Sequence, residues 1–338
     1  MQLTICIPTF NRVEYLRECL EAFLPQVAPH QIPICVSDNG SSDGTLVMLE
    51  AFKQTRYPLL SFRANTTNRG IDQNMVDVLA MASGTYAWLF GDDDLPRAEA
   101  IDTVMACLNG QNYKLLVVNA STHTADLGRE VEERRVRLPE NRAYDAGDHE
   151  RLMIDTASYI TYLGGIVVDL ASWRSVDHTP FLGTDYLHVS VVLRYIVGQR
   201  ALLCAAPLIR LRLQPPTWLS RYFEVEMVNW PKTVWSLDTH DYSDAAKQAV
   251  VDEHPMKVLR RIAAMRAYGH YNRATYDRFI AGDRRIGAVK QLVFRAIAGL
   301  PATWFRAAFI VYMRALQVFR PASYQLGLFR LTEASKWQ

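Results

Sequence analysis

Three consecutive carboxylates, Asp92, Asp93 and Asp94, follow a short aromatic and apolar run from Tyr86 to Phe90, with Gly91 between them to turn the backbone. Adjacent carboxylates at the end of a buried strand repel one another, so a counter-charge is needed to keep them ionised. A divalent hard cation supplies it: Mg²⁺ or Mn²⁺ takes carboxylate oxygens and keeps positions open for substrate phosphates. A solvated acidic turn, or a helix N-terminus that welcomes negative charge, would also accommodate these residues. What lies upstream favours the cation. Pro8-Thr9-Phe10-Asn11-Arg12, Asp38-Asn39-Gly40-Ser41 and Asn65-Thr66-Thr67-Asn68-Arg69-Gly70 each follow an apolar run, as the aspartates do. Singly, each is ordinary turn chemistry. Four on one edge describe a site for a nucleotide whose diphosphate a metal neutralises.

The elements that must position these clusters are readable over the first 120 residues. Leu3 to Ile7, Ile32 to Ser37, Leu59 to Phe62, Tyr86 to Phe90 and Leu115 to Asn119 read as strands. Between them, helical spacing marks Leu16 to Leu24, a segment from Ser42 to about Lys53, Asp72 to Ala82 and Ala98 to Leu108. Asn11 and Glu14 have capping-box spacing before the first helix, and Ser42 is placed to cap the second. Repeated βα units predict an α/β fold with a largely parallel sheet flanked by helices. Ligands of such sheets bind outside the carboxyl ends of the strands, where the polar clusters fall. No GxGxxG follows the first strand and no GxxxxGK[ST] occurs, which argues against dinucleotide and P-loop chemistry.

Bulk properties fit a folded chain of 338 residues, 49% hydrophobic and 21% charged. Cys6, Cys19, Cys35, Cys107 and Cys204 are odd in number and lack CxxC spacing, so free thiols in a reducing compartment are expected. The first residues carry neither a basic segment nor a long apolar one, so no signal peptide is expected. The net charge of +2 divides unevenly, with +12 from Met256 to Gln338 and −10 before it. An acidic body with a basic tail implies two regions with different partners.

Ile7-Pro8-Thr9-Phe10-Asn11-Arg12, Val36-Ser37-Asp38-Asn39-Gly40-Ser41-Ser42-Asp43, Asn68-Arg69-Gly70 and Gly91-Asp92-Asp93-Asp94 resemble, in that order, the signature of family 2 glycosyltransferases. The resemblance covers residues 1 to 110 and extends more weakly to about 215. It implies the GT-A fold and a nucleotide-diphosphate sugar as donor. By this resemblance Pro8, Thr9, Asn11 and Arg12 flank the nucleotide, Asp38 bonds the base, and Asn68, Arg69 and Gly70 line the base and ribose pocket. The aspartates match the DxD element, with Asp92 facing ribose and donor sugar and Asp93 and Asp94 holding Mg²⁺ or Mn²⁺. A leaving nucleoside diphosphate gathers negative charge that a cation stabilises. The stretch from Ser83 to Leu95, with Asp38 to Ser41, looks most like the abequosyltransferase-like branch, which moves a dideoxyhexose from a CDP-sugar to an O-antigen unit.

The family also uses a carboxylate after the DxD element to deprotonate the acceptor hydroxyl, within an acidic pair before a helix. Asp185, in Leu182-Gly183-Thr184-Asp185-Tyr186-Leu187, is the match, although Thr184 stands where the pair's other acid would be. An N-cap role would use the same residue differently. Asp169 and Asp177 are competitors, and His188 could orient Asp185. A single displacement through Asp185 would invert the anomeric centre.

Residues 120 to 150 read as a charged surface excursion. Gly164-Gly165-Ile166-Val167-Val168 reads as a strand returning to the active edge, with glycines that let a sugar approach the backbone. Leu202 to Ala205 is a further short strand, and Pro215-Pro216-Thr217-Trp218 breaks the pattern. Trp218, Tyr222 and Trp230 could stack on sugars or pack among themselves. The expected organisation is a catalytic domain over 1–215, with a nucleotide half (1–120) and an acceptor half (121–215), and a basic helical region over 216–338. Within that region the helices expected at Val258 to Tyr268, Ala288 to Ile297 and Trp304 to Phe319 contain no uncharged run long enough for a membrane span. Trp304, Phe305, Phe309, Ile310, Tyr312 and Met313 with Arg306, Arg314 and Arg320 suit an amphipathic helix on an anionic membrane. The expected activity is therefore sugar transfer to a lipid-linked oligosaccharide at the inner face of a bacterial plasma membrane, with no nucleic-acid partner. A non-catalytic scaffold of the same fold is the competing class. A nucleotidyltransferase would need a Gly-rich phosphate loop that Pro8 to Arg12 does not provide.

Overall fold

The computed structural model describes residues 2–214 and 218–319. Pro215, Pro216, Thr217 and Arg320 therefore lie outside the described residues. The chain divides into two compact units, Met1–Leu213 with Ser236–Val250, and Gln214–Trp235 with Val251–Gln338. The helical region expected over 216–338 is thus interrupted, because Ser236–Val250 belongs to the first unit.

In the first unit, strands β1 (Leu3–Thr9), β2 (Ile34–Asp38), β3 (Leu60–Ala64) and β4 (Tyr86–Leu89) form a parallel half-sheet ordered β3-β2-β1-β4. β1, β2 and β4 are buried along their whole length, which is why they read as continuous apolar runs rather than alternating ones. The connecting helices are α1 (Val13–His30), α2 (Thr45–Thr55) and α3 (Ile71–Met81), followed by α4 (Ala100–Leu108) beyond the short strand β5 (Leu95–Pro96). Phe23 of α1, Trp88 and Phe90 make an edge-to-face cluster with centroids 4.8 to 6.0 Å apart, seating the helix directly beneath the aspartate loop.

The sheet continues through β9 (Ile166–Asp169), β6 (Leu115–Thr124) and β10 (Ala201–Leu213). β9 runs antiparallel to both β4 and β6, whereas β6 and β10 are parallel, so the sheet is mixed in this half. β10 is far longer than the expected Leu202–Ala205, and its register with β6 shifts around Pro207, which has no N–H for the ladder. The charged excursion supplies β7 (Glu130–Glu132) against β6 and β8 (Arg142–Tyr144) against β10. Helices α5 (His149–Thr156), α6 (Leu170–Arg174) and α7 (Leu187–Tyr195) complete the unit together with Asp244–Val250.

Two expected caps are replaced by longer-range contacts. The α1 N-terminus is held by Asp43, whose carboxylate accepts from Val13 N–H at 2.9 Å, rather than by an Asn11–Glu14 box. Asn11, at φ 52°, accepts instead from Ser42 N–H at 2.8 Å. Asp43 rather than Ser42 also accepts from Thr45 N–H at the start of α2. One carboxylate thereby ties the loops after β1 and β2 together.

Gly164 and Gly165 do not open the backbone to a ligand. A Cβ on either would meet the Tyr162 ring at 2.9 or 3.0 Å, and Trp88 Nε1–H donates to the Gly164 carbonyl at 2.9 Å. Their smallness serves aromatic packing.

The second unit is helical, with Leu259–Tyr268, Arg273–Phe279, Ala288–Gly299 and Ala302–Phe319 as its main helices. Trp218, Tyr222 and His270 stack in sequence, with centroids 5.4 and 4.1 Å apart, and Trp230 is buried, so these aromatics pack within the protein. Among the described residues no single helix is long and apolar enough to cross a membrane.

Candidate functional site

The carboxyl ends of β1, β2, β3 and β4 bring the four polar clusters together. Thr9, the last residue of β1, donates its hydroxyl to Asp92 Oδ2 at 2.8 Å. Arg12 Nη1 lies 3.1 Å from Asp92 Oδ1 and 2.5 Å from Asp93 Oδ2. Arg12 is thus aimed at the aspartates, serving as their internal counter-charge. Burial alone would weaken its charge, but Asp93 and Asp92 beside it hold the guanidinium firmly protonated.

Asp94 is held from the far side of the sheet. Arg212 of β10 donates its backbone N–H to Asp94 Oδ1 at 2.9 Å and its Nε–H to the Asp93 carbonyl at 2.7 Å. It also donates to the Ala125 carbonyl, pairs with Glu18 and lies over the Tyr15 ring. No motif marks Arg212, because it sits 118 residues from Asp94 on a strand whose length the sequence conceals.

Burial pushes the Asp92 carboxyl up to about 7, and the Asp93 charge adds to this. The same two causes push Asp94 well above the usual carboxylate range. A carboxylate cluster in that condition is short of positive charge. A Cβ on Gly91 would sit 3.2 Å from Asp93 Oδ1 and 3.3 Å from Asp94 Oδ2, so a side chain at Gly91 would crowd both carboxylates. Asp93 retains 21% of its side-chain exposure. Among the described residues no three His, Cys, Asp or Glu side chains form a metal cage. A pair of carboxylates with one partly exposed member nevertheless fits a hard cation that draws its remaining ligands from phosphate and water.

On the β2 side, Asp38 is fully buried and accepts from Ser41 N–H and from its hydroxyl, so its carboxylate shapes its own turn. Asn39 organises the next loop. Its amide donates to Asn68 Oδ1 at 2.8 Å and to the Gly70 carbonyl at 3.2 Å, and its oxygen accepts from Arg69 N–H at 3.0 Å. Asn74, one turn into α3, donates to the carbonyls of Thr9 and Ser37 and so clamps that helix across the ends of β1 and β2. The sequence marks Asn39 only as a member of its cluster and does not mark Asn74 at all. A capping-like Asn in a turn has too many ordinary uses to stand out. Pro8 pairs with Ser37 in the β1–β2 ladder and backs this edge. Arg69 ion-pairs with Asp77 at 3.3 Å.

Asp185 reaches the same edge through Asp72. The Asp72 carboxylate, 4% exposed, accepts from Asp185 N–H at 3.0 Å and from Leu187 N–H at 3.4 Å. Asp185 has φ 64°, a left-handed conformation uncommon for a residue with a side chain. It immediately precedes Tyr186, the N-cap residue of α7. The competitors make other contacts. Asp169 caps α6 and pairs with Lys114, and its β partner is Tyr86, at the opposite end of β4 from the aspartates. Asp177 accepts from Thr179 N–H at the surface. His188 is buried, bonded to the Thr161 carbonyl and pushed down to about 4 by burial, so it packs in the core and does not orient Asp185.

These shifts have opposing consequences for stability. Burial lifts Asp72 to about 6 and Asp92 to about 7, so their stabilisation is complete below the unfolded carboxylate value and is lost as pH rises through those values. His188 and His270, both depressed to about 4, contribute stability that is lost as pH falls below the unfolded histidine value. In EDTA these two sets of groups therefore oppose one another over a pH of roughly 4 to 7.

Comparison with known proteins agrees with this fold. Residues 4–163 match the family model for glycosyl transferase family 2. The chain is 30% identical over 210 residues to the abequosyltransferase RfbV of Salmonella typhimurium, covering 57% of this chain and 60% of that protein. It therefore spans under two thirds of that relative's length. Among solved structures, TarS of S. aureus with UDP superposes with a TM-score of 0.56 at 17% identity, covering 79% of this chain and 75% of that one. The mannosyltransferase PcManGT of Pyrobaculum calidifontis, solved with GDP-Man and Mn²⁺, gives 0.53 at 16% identity, covering 99% and 87%. At such identities the two structures share the fold alone. Over residues 4–163, the chain is thus similar to glycosyl transferase family 2.

Proposed function

We propose that the protein transfers a sugar, by inverting single displacement, from a nucleotide-diphosphate donor to a hydroxyl of a lipid-linked oligosaccharide in bacterial surface-polysaccharide assembly. The observation that carries this reading is the aspartate loop at the end of β4, joined to Thr9 and Arg12 of the first loop and open at Asp93. The similarity to an abequosyltransferase supports a CDP-dideoxyhexose as donor and an O-antigen unit as acceptor.

In this reading Asp93 and Asp94 would hold Mg²⁺ or Mn²⁺, which would neutralise charge on the leaving diphosphate. Thr9 and Arg12 keep Asp92 turned toward ribose and donor sugar. Asn11 and the Asn68-Arg69-Gly70 loop, braced by Asn39, line the nucleotide, and Asp38 shapes the turn against the base. Asp185, presented by Asp72, takes the proton of the acceptor hydroxyl as that oxygen attacks the anomeric carbon. The basic helical unit would rest on the inner face of the membrane that carries the acceptor. A UDP- or dTDP-sugar donor is the nearest variant of this reading, and a non-catalytic scaffold its opposite.

A melting panel of CDP, UDP, GDP and dTDP, each with and without Mn²⁺, decides among these. A nucleotide at about a hundred times its Kd adds about 2.7 kcal/mol of stability. One nucleotide is expected to stabilise the chain strongly only with metal, and CDP is the expected one. A shift from UDP or dTDP alone would rename the donor. No shift from any nucleotide would favour the scaffold.

A further inference from the structure

The helices Ala288–Gly299 and Ala302–Phe319 are apolar on two faces. Their inner faces place Phe294, Ile297 and Ala298, then Phe305, Phe309 and Met313, in hydrophobic clusters of the second unit. This corrects part of the expected lipid-facing set, since Phe305, Phe309, Ile310 and Met313 pack inside. Their other faces carry a second stripe at helical spacing. Val289 and Leu292 are 78% and 68% exposed on the first helix, and Trp304, Val311 and Tyr312 are 65%, 69% and 55% exposed on the second. Ala307, Ala308 and Ala315 fill that second stripe and are exposed as well. A helix that packs one face in a water-soluble domain ordinarily turns a polar face outward.

Two further observations say what covers the stripe. First, the helices meet at 101°, with Arg266 holding the Leu300 carbonyl at the corner, and only as a pair do they reach the length and mean hydropathy of a membrane segment. So sharp a bend suits a pair lying in a bilayer surface rather than crossing it. Second, no acidic residue occurs from Arg284 to Thr332, while Lys290, Arg295, Arg306 and Arg314 lie on the two helices. A protein partner has no need of an acid-free run; an anionic lipid surface does.

We propose that the bent pair is a shallow membrane anchor. Val289, Leu292, Trp304 and Val311 enter the acyl boundary of an anionic bilayer, and Tyr312 sits at headgroup level. Arg295 and Arg314 extend along the helices to reach lipid phosphates, while Lys290 and Arg306 donate to the carbonyls of Lys257 and Ala267. This deepens the membrane contact of the proposed function and does not depend on the aspartate chemistry.

The full chain should co-sediment with phosphatidylcholine vesicles containing phosphatidylglycerol and stay in solution with phosphatidylcholine alone. Trp304→Glu with Val311→Glu should weaken vesicle binding at least tenfold, and Val289→Glu with Leu292→Glu should do the same independently. Both variants should keep the melting midpoint and the metal-dependent nucleotide shift. Arg295→Gln with Arg314→Gln should lower binding at low salt and matter little at high salt. Unchanged sedimentation of both glutamate variants would overturn the anchor. So would a dimer in vesicle-free solution that those variants dissociate, because a second copy would then cover the stripe. If nucleotides fail to shift the protein while vesicles still bind it, the transferase reading falls and the anchor stands.

Discussion

Asp93→Asn is expected to lower donor turnover by about 10²–10³-fold or more, the scale seen when one preorganised group facing developing charge is removed. Asp93 is the least buried member of the triplet, it lies with Asp94 beside Gly91, and it already attracts the Arg12 guanidinium. Asparagine keeps the shape and loses the charge. The folded protein should not suffer, because removing one of three adjacent negative charges relieves repulsion on Asp92 and Asp94. The melting midpoint without metal should therefore hold or rise, while the metal-dependent nucleotide shift disappears. Loss of activity together with loss of fold would instead make Asp93 a structural partner of Arg12.

The second large effect concerns Asp185. Asp185→Asn should reduce kcat by about 10²–10⁴-fold, the range for removing a general base, with donor affinity unchanged. Asp72→Ala should lower kcat as well, since the left-handed Asp185 backbone loses the carboxylate that accepts its N–H. Holding such a conformation costs on the order of 1–3 kcal/mol, so a loss of about 5- to 150-fold is expected. Asp72→Asn, which keeps an accepting oxygen, should fall between Asp72→Ala and the parent. Steady-state kinetics separate the roles: a change in donor KM without a change in kcat would place Asp185 in binding rather than proton transfer.

The local pattern carried the parallel half of the sheet, because β1, β2 and β4 are buried on both faces and advertise it in their composition. It also carried the clusters at the strand ends. What it concealed was set by distant contacts. α1 runs on to His30 through Pro25 and Pro29, two residues that would ordinarily end a helix near Leu24. β10 hides behind Pro207 and the arginines at 210 and 212, and with it the partner that fixes Asp94. Asp72 looks like an ordinary acid in the first turn of a helix. Its use becomes visible only when the chain, 113 residues later, presents two backbone N–H groups to it.

The return of Ser236–Val250 to the first unit bears on how the chain is made. Tyr242 donates its hydroxyl to the Leu193 carbonyl at 2.6 Å, and the Lys247 ammonium is buried against the Leu237 carbonyl at 2.7 Å. At a synthesis rate of about 5–20 residues per second, the ribosome needs roughly two to seven seconds more to deliver this piece after β10 has emerged. During that interval a nascent chain has its nucleotide edge but lacks its last supporting helix. Release of a product ending near Leu213 would make the gap permanent, so truncation there should yield an aggregation-prone fragment rather than a minimal enzyme.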